Sequence, residues 1–296
     1  GIVSNDEANY VDGDDYPYCD ECYRKIEEEP IKSYGYKPEP IFYGSGNLFY
    51  GVELEIDKGG ERGDYAEEIL NTANTHNLHL YAKHDGSIDD GFELVSHPMT
   101  LEYHTNTMNW SNVMDMALSL DYRSHQTQTC GLHIHVNRKA FGNDYDTQED
   151  SISRIVHFVE MHWNELLKFS RRTEANMNRW ASRYGISTTA KDTYKNAKAK
   201  HCGRYVAINL ENYSTIEFRI FRGTLRYKTF LATLQLVDEI CNLAIKLSDR
   251  ELEGMSWSDF AIQIDSKNKP ELIEYLKARR LYVNEPVAVS AETEGE

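Results

Sequence analysis

The chain has 296 residues and a mass of 34.2 kDa, enough for one large domain or two ordinary ones with a sizeable core. Its 48 acidic and 32 basic residues leave a formal net charge of −16, which excludes a sequence-independent electrostatic grip on nucleic acid. Mean hydropathy is −0.63, no apolar run approaches the ~20 residues of a bilayer crossing, no signal peptide is evident, and five cysteines make no disulfide scaffold, so the expectation is a soluble cytoplasmic protein.

Residues 1–40 are acidic and rich in turn formers, with Asp12-Gly13-Asp14-Asp15, then Cys19-Asp20-Glu21-Cys22, then prolines from Pro30 to Pro40. That composition predicts a small appendage and a linker, with tyrosines near Tyr34 and Tyr36 packing the linker onto the core. Cys19 and Cys22 supply half of a tetrahedral Zn²⁺ site, so the expectation is a zinc-binding module whose first CxxC pair precedes Gly1 in a longer natural chain. Residues 41–282 carry strand and helix patterns, and 283–296, rich in Glu and Ala, read as a disordered acidic tail.

Within 41–282, strands are predicted over Leu48–Asp57, Leu78–Ala82, Gly91–His97, Cys130–Asn137, Arg204–Leu210 and Thr215–Arg222. Helices are predicted over Asp64–His76, Leu101–Leu120, Thr147–Ser170, Leu225–Leu247, Ser256–Ile264 and Pro270–Arg280. Strands fall in neighbouring pairs with helices between the pairs, which is an α+β pattern on a mainly antiparallel sheet. No GxGxxG or Walker A loop is present.

The strands carry their chemistry on the polar side. Side chains alternate between faces, so Glu53, Glu55 and Asp57 share one face while Val52, Leu54 and Ile56 share the other. The same rule pairs His133 with His135, Glu93 with His97, and Glu217 with Arg219. A solvated strand face favours Thr, Lys and mixed charge, whereas adjacent carboxylates on one face repel. Clustered carboxylates with imidazole and a single Arg call for a divalent cation or a polyphosphate, and the oxygen-rich set suits Mg²⁺ or Mn²⁺. A second feature is a basic island: Arg171 to Arg204 holds nine basic residues against Glu174 and Asp192. Its alternative readings are a solvated helix-loop face and a mobile flap bringing Lys and Arg to phosphates. In the second, Arg204 serves the nucleotide and Arg179 the substrate.

These residues resemble the phage and bacterial amidoligases of the glutamine-synthetase-like carboxylate–amine ligase superfamily. The resemblance rests on Gly51-Val52-Glu53-Leu54-Glu55, His84-Asp85-Gly86-Ser87, Glu93-Leu94-Val95-Ser96-His97-Pro98, Gly131-Leu132-His133-Ile134-His135-Val136 and Thr215-Ile216-Glu217-Phe218-Arg219-Ile220-Phe221-Arg222-Gly223, in that order. It implies a curved sheet cupping ATP and divalent ions, with helices on the outer face, over roughly residues 45–250. It further implies Glu53, Glu55, Glu93, His133 and Glu217 as metal ligands, Arg219 on phosphate, and His135 on the nucleotide side. Outside the matched motifs, Arg204 and Asn209 are expected to join His135 at the nucleotide. His84, Asp85 and Ser87 would lie by the substrate. The chain lacks the long substrate loops of glutamine synthetases, so glutamate and ammonia do not carry over.

The implied reaction phosphorylates a carboxylate and lets an amine displace the phosphate, forming an amide or isopeptide bond. Such chemistry needs charge stabilisation, here from the metals, Arg219, Arg222 and Glu217. Asp85, Glu211 and Asp57 are alternative general bases. The identities of the acid and the amine stay open between a free amino acid and a peptide or protein side chain; no nucleic-acid or membrane partner is expected. Two rival readings stay open: a cupin-like non-haem metal enzyme using His133 and His135, and a non-catalytic phage partner-binding domain.

Overall fold

A computed structural model describes residues 8–10, 16–200 and 203–282. The Asp12-to-Asp15 run and the expected tail from 283 lie outside the described residues. Seven strands form one sheet: β1 (Ile31–Lys32), β2 (Tyr50–Ile56), β3 (Leu80–Lys83), β4 (Phe92–Ser96), β5 (Gly131–Asn137), β6 (Ile208–Asn209) and β7 (Thr215–Arg222). Their order is β1-β3-β4-β2-β5-β7-β6, and every pairing is antiparallel except β1 with β3. The helices are α1 (Asp20–Glu28), α2 (Gly63–Ala73), α3 (Leu101–Asn106), α4 (Trp110–Ser119), α5 (Tyr145–Met161), α6 (Trp163–Ser170), α7 (Glu174–Trp180), α8 (Ala190–Ala199), α9 (Tyr227–Lys246), α10 (Asp249–Glu253), α11 (Trp257–Gln263) and α12 (Pro270–Ala278). The architecture is mixed α+β on a mostly antiparallel sheet.

The apolar face of the sheet is the core. Val52, Leu54, Ile56, Phe92, Leu94, Ile134, Val136, Ile216 and Phe218 are buried in one cluster with Phe230, Leu234 and Val237 of α9. Each such side chain contributes roughly 1.5–3 kcal/mol when withdrawn from water. The alternation that fills this face also forces the polar residues of β2, β4, β5 and β7 onto the other.

Two helices predicted as continuous are broken. Within 101–120, His104 is fully buried; its Nε2 lies 2.9 Å from the Tyr50 carbonyl and its Nδ1 accepts from Trp110 Nε1 at 3.0 Å. The chain turns at 107–109 and starts α4 at Trp110, whose ring packs on Phe230 at 4.6 Å. Within 147–170 the break is His162, non-helical at φ −102° and ψ 32°, its ring set against Phe158 and Trp257.

The basic island carries two helices, α7 and α8, joined by loop, and α8 packs on α5. Ala190, Thr193, Tyr194 and Ala197 form a buried stripe on α8, and Thr193 Oγ1 meets His157 Nδ1 of α5 at 2.9 Å. Lys191 pairs with Asp150 at 3.1 Å and Lys198 with Glu149 at 2.9 Å. Of the strand predicted over 204–210 only β6 forms, leaving Arg204 and Tyr205 in a loop. Residues 31–43 run along the sheet as a strap: β1 pairs with β3, Tyr36 packs edge-on to Tyr81 at 5.5 Å, and Ile41 N–H donates to His97 Nδ1 at 3.2 Å.

Candidate active site

Strand register gathers the polar residues. Glu55 lies opposite Glu93, Glu53 opposite His133, His135 opposite Glu217, and Glu217 opposite Asn209. A bulge interrupts the pairing of β5 with β7: Leu132 faces Phe221 while Ile134 faces Phe218, so β7 holds one extra residue opposite His133. Past the bulge the inward and outward positions of β7 exchange, and Arg222 ends opposite Gly131 on the face that strict alternation would deny it.

Together these residues line a cavity of about 730 Å³ that also takes in Lys83, Asp85, Ser87, Arg172, Arg204, Glu211, Asn212 and Arg219. At its floor, ligand atoms of Glu53, His135 and Glu217 lie within 4.8 Å of one another. His135 Nε2 is 3.1 Å from Glu53 Oε1, and His133 Nδ1 is 3.2 Å from Glu53 Oε2 and 3.8 Å from Glu217 Oε1. His133 Nε2 stands 3.7 Å from Glu55 Oε1. Arg219 donates to Glu217, and Asn209 Nδ2 donates to the same carboxylate at 2.7 Å.

The charges are unevenly balanced. Burial alone would raise the Glu53 carboxyl, but the His135 and His133 imidazoles outweigh it and hold it well below the usual carboxylate range. Glu217 is lowered too: against burial, His135 leads the groups that favour its charged form. His135, whose burial disfavours the imidazolium, is raised by the Glu53 carboxylate. Glu55 is pushed up by burial, and Glu93 far up by burial and the neighbouring Glu53 charge. Glu93 Oε1 is buried with no hydrogen-bond partner among the described residues. Clustered carboxylates, one with a free oxygen, and two imidazoles are a donor set that a hard divalent cation accepts, so Mg²⁺ or Mn²⁺ fits here.

Not every predicted residue reaches this cavity. Arg222 does not line it; its guanidinium donates to the carbonyls of Thr127 and Arg171, at 3.3 and 3.5 Å. His84 does not line it either, its Nδ1 lying 2.6 Å from Glu61 Oε1 on the surface. Asp57 is fully buried and accepts from the N–H groups of Lys58 and Asp90, a turn-building role that removes it from the base candidates. Arg179 lies outside the cavity, in a neighbouring groove. Among the described residues no third metal-ligating side chain joins Cys19 and Cys22.

Other residues enter unannounced. Arg172 reaches the cavity from the turn after α6, its Nη2 donating to the Phe221 carbonyl at 3.0 Å and its buried Nε without a partner among the described residues. Gly131 makes room for it: a β-carbon there would stand 2.6 Å from His133 Nε2 and 2.7 Å from Arg172 Nη2. The strap contributes Tyr34, Lys37 and Glu39, and Arg204 donates to Tyr34 Oη and, at 3.1 Å, to Tyr205 Oη. Neither Arg172 nor the strap stands on a periodic strand; only the density of basic residues after 170 hinted at the first.

Two further cavities adjoin the first. At the Asn137 end of β5 an apolar pocket of about 750 Å³ shares His135, Glu211 and Asn212 with it and is walled by Phe42, Phe49 and Leu210. At the Gly131 end a polar groove of about 620 Å³ shares Ser87, Thr129 and Trp180. The three lie in line along the sheet.

Residues 71–241, more than half of the chain, match the family described as "Putative amidoligase enzyme". The chain belongs to the amidoligase family. The matched region holds β3 to β7 and most of α9, so Glu53 and Glu55 on β2 and the strap precede it. Among solved structures the chain is similar to a bifunctional glutathione synthetase from Pasteurella multocida, at 13% identity and a TM-score of 0.42 over 81% of this chain. The chain spans 45% of the length of that protein. A search of curated sequences returns no match. No helix among the described residues is long and apolar enough to cross a membrane.

Proposed function

We propose that this amidoligase is an ATP- and divalent-cation-dependent carboxylate–amine ligase working through an acyl phosphate. The observation that carries the reading is the convergence of Glu53, His135 and Glu217 with Arg219 in one cavity. Acidic and cationic groups so interleaved match a metal-bound polyphosphate better than either charge alone. Glu53, Glu55, Glu93, His133, His135 and Glu217 would hold the cations, which would supply charge neutralisation. Arg219 would bind the transferring phosphoryl group. The apolar pocket beyond His135 would take the nucleobase, with Asn209 and Arg204 between.

Asp85 fits the role of general base, because it lines the central cavity next to Ser87 at the polar end, away from the apolar pocket. Glu211 stands at the opposite, apolar end. An iron site built on two imidazoles is less favoured, since the tightest ligand set contains one imidazole and two carboxylates.

The test is calorimetry of ATP with and without Mg²⁺ on the unmodified protein and on Glu53→Ala and Glu217→Ala, each checked for folding by circular dichroism. Mg²⁺-dependent binding that both folded variants lose is expected. Binding indifferent to Mg²⁺ or to both substitutions would sink the reading.

A further inference from the structure

The apolar pocket and the acidic floor have occupants in the ligase reading, whereas the polar groove at the Gly131 end has none. Its walls carry amides and hydroxyls, from Gln126, Gln128, Asn176, Ser87 and Thr129, the Lys58–Asp89 ion pair at 3.7 Å, and the Arg179 guanidinium stacked over Trp180 at 4.5 Å. An alkyl chain would find little there to cover it, while a chain of amide groups would find hydrogen-bond donors and acceptors along its length. At about 620 Å³ the groove is also several times larger than a free amino acid needs.

Arg172 lines the central cavity, which meets the groove at Ser87, Thr129 and Trp180. It reaches the cavity beside Gly131, two residues on from Thr129 in the groove wall, with a buried, unpartnered Nε. A buried guanidinium with a spare donor is a receptor for a carboxylate or phosphate oxygen.

We propose that the polar groove binds a peptide acid and that Arg172 receives the carboxylate this acid presents to the ATP site. The assignment rests on the ligase reading and adds to it the class of acid. In the reaction the carboxylate oxygen bonds to the γ-phosphorus of ATP as the bond from that phosphorus to the bridging oxygen breaks, releasing ADP. The amine nitrogen then bonds to the acyl carbon as the carbon–oxygen bond to phosphate breaks, and the nitrogen loses a proton. Arg172 would neutralise the oxygens on both sides of this exchange.

Hydroxylamine can serve as the amine, trapping the activated acid as a hydroxamate. The probes are N-acetyl-Ala-Gln-Glu, L-glutamate and octanoate, each with Mg²⁺ and ATP. Hydroxamate is expected from the peptide, at least about tenfold slower from L-glutamate, and not from octanoate. Arg172→Gln should lower the peptide rate by about 100-fold while Mg·ATP binding persists. Asn176→Trp, a change on the partly exposed face of α7, should raise the peptide KM by about tenfold with little change in kcat. Equal or faster reaction of L-glutamate or octanoate, or an unchanged peptide KM in Asn176→Trp, would overturn the groove assignment. So would Mg·ATP binding without hydroxamate from the peptide, which leaves the ligase reading standing. Failure of the unmodified protein to bind Mg·ATP removes both.

Discussion

Glu55 and Glu93 stand directly opposite each other across β2 and β4, so two buried carboxylates share one cross-strand position. Burial raises both carboxyls, and the Glu53 and Glu55 charges raise that of Glu93 further, so holding the pair here costs the fold free energy. Without a cation, Glu93→Gln should therefore stabilise the protein by roughly 1 kcal/mol, or about 2–4 °C in melting temperature. Melts in EDTA and in Mn²⁺ check this: Mn²⁺ should raise the melting temperature of the unmodified protein and raise that of Glu93→Gln less.

Gly131→Ala puts a methyl group where His133 Nε2 and Arg172 Nη2 now approach to 2.6 and 2.7 Å of its position. Both side chains must withdraw, while the strand itself can keep its conformation. We expect ADP formation to fall by about 100-fold with a stability loss of only ~1–3 kcal/mol, measured by turnover and urea unfolding on one preparation.

Arg222→Ala should separate stability from chemistry in the other direction. Its guanidinium serves the carbonyls of Thr127 and Arg171 and not the cavity. A loss of ~1–3 kcal/mol in urea unfolding with unchanged Mg·ATP binding is expected. A lost binding signal from a folded variant would return Arg222 to the site.

His104 should give the fold an acid-sensitive component. Burial holds its imidazole down to about 4, against 6.5 for a free group, so the unfolded chain binds a proton in a range where the folded chain does not. Its contribution is complete above pH 6.5 and is lost as pH falls toward 4, amounting to roughly 3 kcal/mol over that window. Unfolding midpoints at neutral and mildly acidic pH should differ less in His104→Gln than in the unmodified protein.

The polar face of the sheet was legible because alternation in a strand leaves no freedom: once Val52, Leu54 and Ile56 go to the core, Glu53 and Glu55 must face away. Glu93, His133, His135, Glu217 and Arg219 obey the same rule and reach one cavity. Arg222 breaks the rule: a bulge after Phe218 that no local pattern announces turns it to the polar face opposite Gly131, and there the Thr127 and Arg171 carbonyls take its guanidinium away from the cavity. Helix breaks at 107–109 and at His162 answer to tertiary contacts of His104 and His162 that helical periodicity cannot express. The stripe Ala190, Thr193, Tyr194, Ala197 is a legible helical face, masked in the sequence by the lysines around it. Arg172 lay in a basic run whose members look alike until one is turned inward.

The strap of residues 31–43 supplies Tyr34, Lys37 and Glu39 to the cavity from chain that precedes the family match and contributes a single two-residue strand. The carboxylates rooted in the sheet tolerate little change, since each shares its strand with the core. The strap is held at fewer points, by the β1–β3 pairing, Tyr36 on Tyr81 and Ile41 on His97. If the cavity is the ligase site proposed above, the rim from the strap and the floor from the sheet can vary independently, so a graft of 33–40 alone would alter what is bound while leaving the floor in place.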